Sequence, residues 1–531
     1  MRTPMTVLIT DNVDPLCMEM LEQAGITPNV QLKRSPEELK ALAAEADGWI
    51  IRSGTTITAD LIEAADRLKV IGRAGVGVDN VDLEAATRRG ILVINAPDGN
   101  TISTAEHTCA MMMALARQIP QANASLRAGR WERKQFSGTE LYEKTLGIVG
   151  VGKIGRAVGQ RMQAFGMHVI GFDPVLAPDA AERLGIELVS LDELFERSDV
   201  ITLHTPLNDA TRGLLNRETL ARCKPGVRIV NCARGGIVDE EALLEALESG
   251  HVGGAALDVY SQEPPPEALQ RLIQHPKVVA TPHIAASTAE AQQKVAVQIT
   301  EQVILALKGE PVSTPVNAMA IRMAAQREVQ PYLRLADALG RIGSQLIEGS
   351  LHRVTVRCAG DVPRRYTEVL SVAVLKGVLS RWASDPVNLI NAPFLAREMG
   401  LAVEEQRGST TDSYTNLIEV ELGTSQGTRC VAGTIFGAGE PRLVQVDTYR
   451  LEIPPEGHLL FYQNIDRPGM LATVGRILAE NNLNIAALSL GRTGRGSMAL
   501  TVVGVDEPIP EAVRKRIAAL DGVSSVYAVE V

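Results

Sequence analysis

A glycine-rich segment near residue 150 has the residue types and spacing of a dinucleotide site. Residues 150–155 read GVGKIG between a predicted strand and a predicted helix, and Asp173 ends the next predicted strand. The first two glycines let the backbone turn tightly and approach a pyrophosphate at the helix N-terminus, and the third lets the helix pack closely on the strand. Asp173 can accept hydrogen bonds from both ribose hydroxyls and repel a 2′-phosphate. The pattern therefore predicts NAD as the cofactor, and a purely structural glycine turn is the alternative.

Three polar side chains at later strand ends fit acid–base chemistry on an anionic substrate. Arg234 precedes two glycines, Glu263 precedes three prolines, and His283 follows the apolar run KVVA. The carboxyl ends of parallel strands form the ligand crevice of an open α/β sheet, so these side chains are expected there. A guanidinium fork suits a carboxylate, while an imidazole oriented by a neighbouring carboxylate exchanges a proton with an alcohol near neutral pH. A structural ion pair and a structural histidine are the alternatives.

The elements that must position these groups are predicted to form two parallel sheets. Short apolar runs alternate with amphipathic helical stretches over residues 5–95 and again over 145–285, which is typical of βαβ units. A helical stretch over roughly 101–128 separates the two blocks. The turn-rich residues 311–317 close the helix that follows His283 and mark a predicted domain boundary.

The C-terminal part of the chain carries a different pattern. Residues 318–452 have helical and strand signals without a recognisable chemical motif, and the segment IPPEG at 453–457 marks a second break. The last block reads strand, helix, strand, strand, helix, strand, which is the ferredoxin-like arrangement.

Composition and charge exclude several function classes. The 531 residues are 45% hydrophobic and 22% charged, close to an average soluble protein of several domains. A net charge of −10 and only 3% aromatic residues argue against nucleic acid and anionic membranes as partners. The N-terminus reads as a first strand rather than a secretory signal, and the six cysteines and eight histidines lack metal-ligand spacing. We therefore expect a metal-free cytoplasmic protein.

Several of these segments together resemble a known enzyme family. VGVGKIGR, HTPL, NCARGGIVDE and TPHIAAST are similar to the D-isomer-specific 2-hydroxyacid dehydrogenases. RSGTTIT, GRAGVGVDNVDLEAATRRGILVINAP and WERKQF narrow the resemblance to the phosphoglycerate dehydrogenase branch in its long form. The implied fold is α/β, with two Rossmann-like doubly wound parallel-sheet domains, one for substrate (1–97 and 285–314) and one for NAD (98–284). An α+β intervening domain of the allosteric-substrate-binding type (316–452) and a ferredoxin-like βαββαβ ACT domain (456–531) would follow.

The resemblance also implies roles for residues around the cofactor. Arg234 would bind the substrate carboxylate and polarise C2, His283 would take the hydroxyl proton, and Glu263 would orient the imidazole. Asp258 would hold the nicotinamide carboxamide, and Thr205 would line the cofactor. The expected NAD contacts are Gly150, Gly152, Lys153, Ile154, Gly155, Asp173, Thr205, Cys232, Ala233, Arg234, Asp258, His283 and Ala286.

Residues for the rest of the substrate and for an effector are implied in the same way. Around the substrate the resemblance places Arg52 and Arg73 on a phosphate, Ser53, Gly54 and Asn100 nearby, and Arg133 and Lys134 from a partner subunit. In the ACT domain, Asp466 would bind the ammonium group of L-serine and Asn484 its carboxylate or hydroxyl, with Asn464 as a weaker candidate. A homo-oligomer, dimer or tetramer, is expected. A packing-only dimerisation module is the alternative for the ACT domain.

The implied activity is the NAD-dependent oxidation of 3-phospho-D-glycerate to 3-phosphohydroxypyruvate, the first step of L-serine biosynthesis, with feedback control by L-serine. One alternative is another D-2-hydroxyacid dehydrogenase, such as a glyoxylate or hydroxypyruvate reductase or a 2-hydroxyglutarate dehydrogenase. The other is an NAD-sensing binding protein of the corepressor type. Basic residues near Arg52, Arg73 and Arg133 favour the phosphorylated substrate, because each rival enzyme acts on an acid without a phosphate.

Overall fold

A five-stranded parallel sheet opens the computed structural model, in which residues 4–324, 326–383, 386–408, 414–437 and 439–531 are described. Its strands are β1 (Thr6–Ile9), β2 (Thr27–Val30), β3 (Gly48–Ile51), β4 (Val70–Arg73) and β5 (Leu92–Asn95), and its helices are α1 (Leu16–Gln23), α2 (Pro36–Ala43), α3 (Ala59–Glu63) and α4 (Leu83–Arg88). The strand order is β2-β1-β3-β4-β5. Because helices cover both faces, β3 is buried at every residue, which explains its unbroken apolar run GWII. The chain order reverses between β1 and β3, so a crevice opens at their carboxyl ends.

A seven-stranded parallel sheet follows. Its strands are β6 (Thr145–Val149), β7 (His168–Phe172), β8 (Glu187–Leu188), β9 (Val200–Leu203), β10 (Val227–Asn231), β11 (Val252–Leu257) and β12 (Val278–Ala280). The helices are α5 (Thr101–Arg117), α6 (Ile119–Arg127), α7 (Lys153–Ala164), α8 (Pro178–Glu182), α9 (Leu191–Arg197), α10 (Arg217–Arg222), α11 (Glu240–Glu248) and α12 (Gln270–Ile273), with 3-10 turns at Arg133–Gln135 and Glu267–Leu269. The order is β12-β11-β10-β9-β6-β7-β8, which places the switch point between β9 and β6.

The helical stretch predicted over 101–128 is two helices rather than one. Gln118 adopts a left-handed conformation with φ of 53°, and Pro120 lies in the first turn of α6. A proline at that position starts a helix readily but cannot continue an earlier one, which explains the break.

One long helix returns the chain to the first sheet. α13 (Ala289–Leu307) begins at Thr288, whose side chain accepts a hydrogen bond from the Ala291 amide. The helix packs so closely on β4 that a Cβ at Gly72 would lie 2.6 Å from Val303 Cγ2. The chain therefore crosses between the two parallel sheets twice, and the cleft between them is bounded by both.

A mixed sheet forms the third unit. Its helices are α14 (Met319–Ala324), α15 (Gln330–Leu346), α16 (Asp361–Arg365), α17 (Thr367–Leu379) and α18 (Ala392–Glu398), with a 3-10 turn at Arg327–Val329. Its strands are β13 (Leu351–Ala359), β14 (Ala402–Arg407), β15 (Leu417–Thr424), β16 (Gly427–Phe436), β17 (Glu440–Val446) and β18 (Tyr449–Ile453). The order is β14-β13-β15-β16-β17-β18, and only the β13–β14 pair is parallel.

An antiparallel four-stranded sheet ends the chain. It comprises β19 (His458–Ile465), α19 (Met470–Glu480), β20 (Ile485–Arg492), β21 (Met498–Val505), α20 (Glu511–Ala518) and β22 (Val523–Glu530), in the sheet order β20-β21-β19-β22. Its two helices cover one face, while Phe461 and Val502 on the other face share a hydrophobic cluster with Leu339 of α15. The predicted fold class is confirmed, and the domain limits stay predictions. Among the described residues, no helix combines the length and the apolar character that crossing a membrane requires.

Candidate active site

Glu263 and His283 form a close pair at the carboxyl end of the seven-stranded sheet. Glu263 Oε2 lies 2.6 Å from His283 Nδ1, and Glu263 Oε1 accepts a hydrogen bond from the Tyr260 amide. Partial burial opposes ionisation of Glu263, but the hydrogen bonds from His283 and Tyr260 outweigh it and lower the pKa of this carboxyl. The ionised carboxylate fixes Nδ1 of the imidazole, which leaves Nε2 as the nitrogen that can meet a substrate.

Asp258 holds the backbone that carries His283. His283 has a φ of 52°, in the left-handed region that costs a non-glycine residue roughly 1–2 kcal/mol. The fully buried Asp258 carboxylate accepts hydrogen bonds at 2.9 Å from the amides of Ile284 and Ala285, and its backbone carbonyl accepts one from the His283 amide at 2.8 Å. These three hydrogen bonds hold the turn and keep His283 in an otherwise unfavourable conformation.

The same carboxylate has further donors. Thr281 Oγ1 donates to Asp258 at 2.6 Å, and His107 Nε2 lies 3.3 Å from Asp258 Oδ1. Burial alone would raise the pKa of Asp258, but hydrogen bonds from His107, Thr281 and the two amides lower it. The sequence patterns gave no sign of this clamp. The direct contact of Asp258 with a nicotinamide stays a prediction.

Arg234 follows β10 and reaches across the cleft. Its Nε donates to Asp79 Oδ2 at 3.0 Å, and its Nη1 donates to the Ala233 carbonyl at 2.7 Å. Asp79 belongs to the loop between β4 and α4, so the pair joins the two parallel-sheet units. A Cβ at Gly77 in that loop would lie 2.0 Å from Arg234 Nη2, so a larger residue there would displace the guanidinium.

The predicted substrate residues of the two units meet in one cavity. It has a volume of about 530 Å³ and lies between the crevices of the two parallel sheets. The predicted residues that line it are Arg52, Ser53, Arg73, Asn100, Arg234, Glu263, His283 and Ala286. The structure thus brings together the predicted catalytic trio and most of the predicted substrate residues.

Three guanidinium groups line this cavity, together with the carboxyl groups of Asp14, Asp79 and Glu263. The pKa of Arg73 is lowered to about 10, first by burial and then by the neighbouring cations Arg234 and Arg52. Within the described residues, buried Arg73 Nε and Asn100 Oδ1 have no hydrogen-bond partner. Buried polar groups in proteins are normally paired, so the Arg73 N–H suits an anionic oxygen of a ligand, whereas the Asn100 oxygen suits a donor such as a hydroxyl.

The residues at the β6 and β9 switch point fit a dinucleotide. Gly150 has a φ of 91°, and a Cβ there would lie 2.5 Å from the His204 carbonyl oxygen. A Cβ at Gly155 would lie 2.2 Å from the Gly150 oxygen, whereas Gly152 faces open space at the start of α7. The glycines therefore allow a tight turn, close helix packing and a free approach for a pyrophosphate.

The remaining cofactor candidates surround this turn. Asp173 directly follows β7, and its Oδ2 accepts from the Val151 amide at 2.9 Å while its Oδ1 accepts from the amides of Val175 and Leu176. Its contact with the ribose hydroxyls stays a prediction. Thr205 Oγ1 is buried without a partner among the described residues. Lys153 forms an ion pair with Asp98. Ile154 lies in α7, and Cys232 and Ala233 follow β10. These residues fit NAD, with which the unpartnered Thr205 hydroxyl can form a hydrogen bond.

Some predicted residues lie outside the cavity. Arg133 and Lys134 form an exposed 3-10 turn, so their role in a partner's site stays a prediction. Gly54 faces Asp11, whose carboxylate accepts from the Arg52 amide at 2.6 Å, so this glycine shapes the loop. In the described part of the chain, no cluster of three or more His, Cys, Asp or Glu side chains could hold a metal ion.

The predicted effector residues hydrogen-bond to different neighbours. Asp466 accepts from Arg492 Nη1 at 3.0 Å, and Asn484 donates to Asp506 at 2.7 Å. Asn464 is buried and donates to the Ile465 carbonyl, while its Oδ1 has no partner among the described residues. Their role with L-serine stays a prediction.

Comparisons with known proteins cover the whole chain. Residues 109–285 match the NAD binding domain of the D-isomer specific 2-hydroxyacid dehydrogenases, 328–447 the D-3-phosphoglycerate dehydrogenase intervening domain, and 458–522 the ACT domain. Among solved structures, a glyoxylate reductase from Paecilomyes thermophila has a TM-score of 0.55 at 34% identity, over 60% of this chain and 99% of that one. A D-lactate dehydrogenase from Aquifex aeolicus complexed with NAD and lactic acid has a TM-score of 0.52 at 30% identity, over 57% and 96%.

Curated relatives extend the similarity beyond the two parallel sheets. The D-3-phosphoglycerate dehydrogenase of Synechocystis sp. is 42% identical over 99% of this chain and 94% of its own length. The enzyme of the same name from Homo sapiens is 42% identical over 95% of each chain. The predicted resemblance and the NAD-binding domain are confirmed, and the chain belongs to the D-3-phosphoglycerate dehydrogenase family.

Proposed function

We propose that the chain oxidises the C2 hydroxyl of 3-phospho-D-glycerate to give 3-phosphohydroxypyruvate, with NAD as the electron acceptor, as the first step of L-serine biosynthesis. The observation that carries this proposal is the single cavity in which the Glu263–His283 pair faces Arg52, Arg73 and Arg234. We place the reaction in the cytoplasm, in keeping with the six cysteines, all described and all free thiols.

Each cavity residue has a defined part in the reaction. Arg234 holds the substrate carboxylate through the N–H groups that Asp79 and Ala233 leave free, and so orients C2. His283 Nε2 accepts the hydroxyl proton as the C2–O double bond forms, and Glu263 stabilises the resulting imidazolium. Bound NAD supplies the acceptor for the hydride that leaves C2. The proton and the hydride together account for the two hydrogens lost.

The phosphate is the part of the substrate that separates this proposal from its rivals. Glyoxylate, lactate and 2-hydroxyglutarate carry one or two carboxylates and no phosphate dianion. Arg73, buried beside two other cations and with an unpartnered Nε, favours a ligand that brings at least two negative charges to its side of the cavity. Arg52 flanks the same wall, so the two guanidinium groups form the phosphate site.

We expect NADH formation with 3-phospho-D-glycerate to exceed that with D-glycerate, 2-hydroxyglutarate and D-lactate by at least about 100-fold in kcat/KM. Charge-assisted hydrogen bonds to the phosphate stabilise binding by roughly 1.5–3 kcal/mol each. The measurement is absorbance at the NADH band with each acid in turn. Arg73→Gln serves as the matched variant and should remove most of the preference over D-glycerate. Equal kcat/KM for the two acids in the wild type would refute the phosphate site, and no NADH with any acid would favour the binding-protein alternative.

A homo-oligomer, dimer or tetramer, is part of the proposal. Exposed apolar side chains, among them Ile119, Leu126 and Trp131, lie on and beyond α6, close in sequence to Arg133 and Lys134. Met111 and Leu115 of α5, by contrast, are buried in the core of the same chain. The surface at α6 therefore suits a second subunit better than α5 does.

L-Serine is proposed as an effector of the ACT domain. Wild-type enzyme should lose activity at millimolar L-serine, and Asp466→Ala should weaken that inhibition about 5- to 150-fold, the range of a coupling of roughly 1–3 kcal/mol. The reason is that Asp466 supplies the only carboxylate of the three proposed ligands. Initial rates across a serine titration measure the effect.

Asp521→Ala is the control for the serine experiment. Asp521 is also paired with an arginine of this domain, at 2.8 Å, and lies outside the proposed ligand set. The full chain is required, because the sheet face opposite the helices shares its hydrophobic cluster with α15. A wild type insensitive to millimolar serine, or equal inhibition of both variants, would contradict a serine site at Asp466.

A further inference from the structure

The loop between β4 and α4 touches each arginine of the cavity. Residues 75–80 begin two positions after Arg73. Asn80 Nδ2 donates to the carbonyls of Arg52 at 2.6 Å and Thr55 at 2.5 Å, and Asp79 accepts from Arg234. One short loop of the five-stranded-sheet unit thus bonds both the backbone at Arg52 and the guanidinium of Arg234 from the other unit.

The hydrogen bonds of Arg234 determine which of its N–H groups remain free for a ligand. A guanidinium has five N–H groups, and in the described part of the chain one on Nε goes to Asp79 and one on Nη1 to Ala233. Three N–H groups remain, two of them on Nη2. Asp79 therefore engages the Nε side of the guanidinium, and the N–H groups that remain on Nη1 and Nη2 are the ones available to a carboxylate.

The Asp79–Arg234 ion pair is too exposed to matter much for folding. The Asp79 side chain is 62% exposed, and ion pairs in such positions contribute little to stability. Its charge is also opposite to that expected of a residue that recruits an anionic substrate. Asp79 can instead orient Arg234, because its hydrogen bond with Nε sets the plane of the guanidinium.

We propose that Asp79 is a positioning residue for Arg234, which it orients for the substrate carboxylate through the Nε hydrogen bond. This inference rests on the proposed oxidation of an anionic 2-hydroxy acid. Asp79 and Arg234 belong to different parallel-sheet units, so the guanidinium is correctly oriented only while those units face each other. Misplacement of a reacting group by about 1 Å lowers rates on the order of 100-fold, which sets the scale of the effect.

The test compares Asp79→Ala with Asp79→Asn. The alanine variant loses the acceptor, and its kcat should fall about 10- to 100-fold. The asparagine variant keeps a neutral oxygen that accepts from the Nε–H. Its kcat should lie at least halfway, on a logarithmic scale, from that of the alanine variant to that of the wild type. The KM for the acid should stay equal or decrease in both variants, because each removes a negative charge from an anion site. The Kd of NAD, measured by calorimetry, should not change.

Asp66→Asn is the matched control. Asp66 is another exposed aspartate of the same unit and pairs with Arg89 at 3.0 Å, outside the cavity. The Asp66→Asn variant should keep the wild-type kcat, and the Tm should be similar in all variants.

Wild-type kcat in Asp79→Ala would overturn the proposal. Equal losses in the alanine and asparagine variants would also overturn it, because charge rather than the hydrogen bond would then matter. A raised KM with unchanged kcat would make Asp79 a ground-state binding residue instead. If the wild type oxidises no 3-phospho-D-glycerate, the proposed substrate fails, and the same ratios are measured with the 2-hydroxy acid that it does oxidise.

Discussion

His283→Ala is expected to lower kcat by about 100- to 10,000-fold while the Kd of NAD stays close to that of the wild type. The variant removes the group that accepts the hydroxyl proton, so the proton must pass to water without a positioned acceptor. The imidazole is bound to Glu263 and lines the substrate cavity, whereas the glycine turn for the pyrophosphate lies at the end of β6. Steady-state rates and calorimetric titration with NAD measure the two effects separately.

His168→Ala is the control for a histidine change of the same size. His168 is exposed at the first residue of β7, at the end of the strand opposite the crevice. Its removal should leave kcat unchanged. Turnover near the wild-type value in His283→Ala would contradict its role as general base, and a parallel loss of NAD binding would show that the side chain contacts the cofactor or holds the fold as well.

Arg234→Lys is expected to lower kcat/KM for the acid by about 100- to 1,000-fold, although the positive charge remains. An ammonium group cannot form two parallel hydrogen bonds to a carboxylate and also donate sideways to Asp79. Loss of one or two charge-assisted hydrogen bonds at roughly 1.5–3 kcal/mol each gives a decrease of this size. The measurement is a full kinetic profile in both NAD and the acid.

Arg217→Lys is the matched control for this substitution. Arg217 donates to Glu245 on the surface of the same unit, away from the cavity, and its replacement should change no kinetic constant. A change confined to the KM of NAD in Arg234→Lys would show that this arginine serves the cofactor instead of the substrate.

The strands around the site were predictable because buried parallel strands leave unbroken apolar runs. β2 and β8 leave no such run and are not predicted from the sequence. The segment TPNV is partly or fully exposed at a sheet edge, and β8 has only two residues. Such short and partly exposed edge strands resemble loops in sequence.

The convergence of the three proposed catalytic residues was predictable from topology, whereas the residues that support them were not. Arg234, Glu263 and His283 each follow a predicted strand of one sheet, so their convergence follows from the crevice rule. Asp79 follows no strand directly and meets a partner 155 positions away in the other unit. Asp258 directly follows β11, but its several donors depend on the turn at 281–285, which no apolar pattern specifies.

The clamp at Asp258 links the shape of the catalytic turn to proton binding. A carboxyl whose pKa is lowered by folding stabilises the native state fully above its ordinary value, ~3.9 for aspartate, and loses that contribution as the pH falls through the lowered value. The turn at His283 is therefore held throughout the neutral and mildly acidic range. Protonation of Asp258 in strong acid would release the two amides and the left-handed residue together. We therefore expect strong acid to disturb the catalytic turn through a buried carboxylate that takes no part in proton transfer.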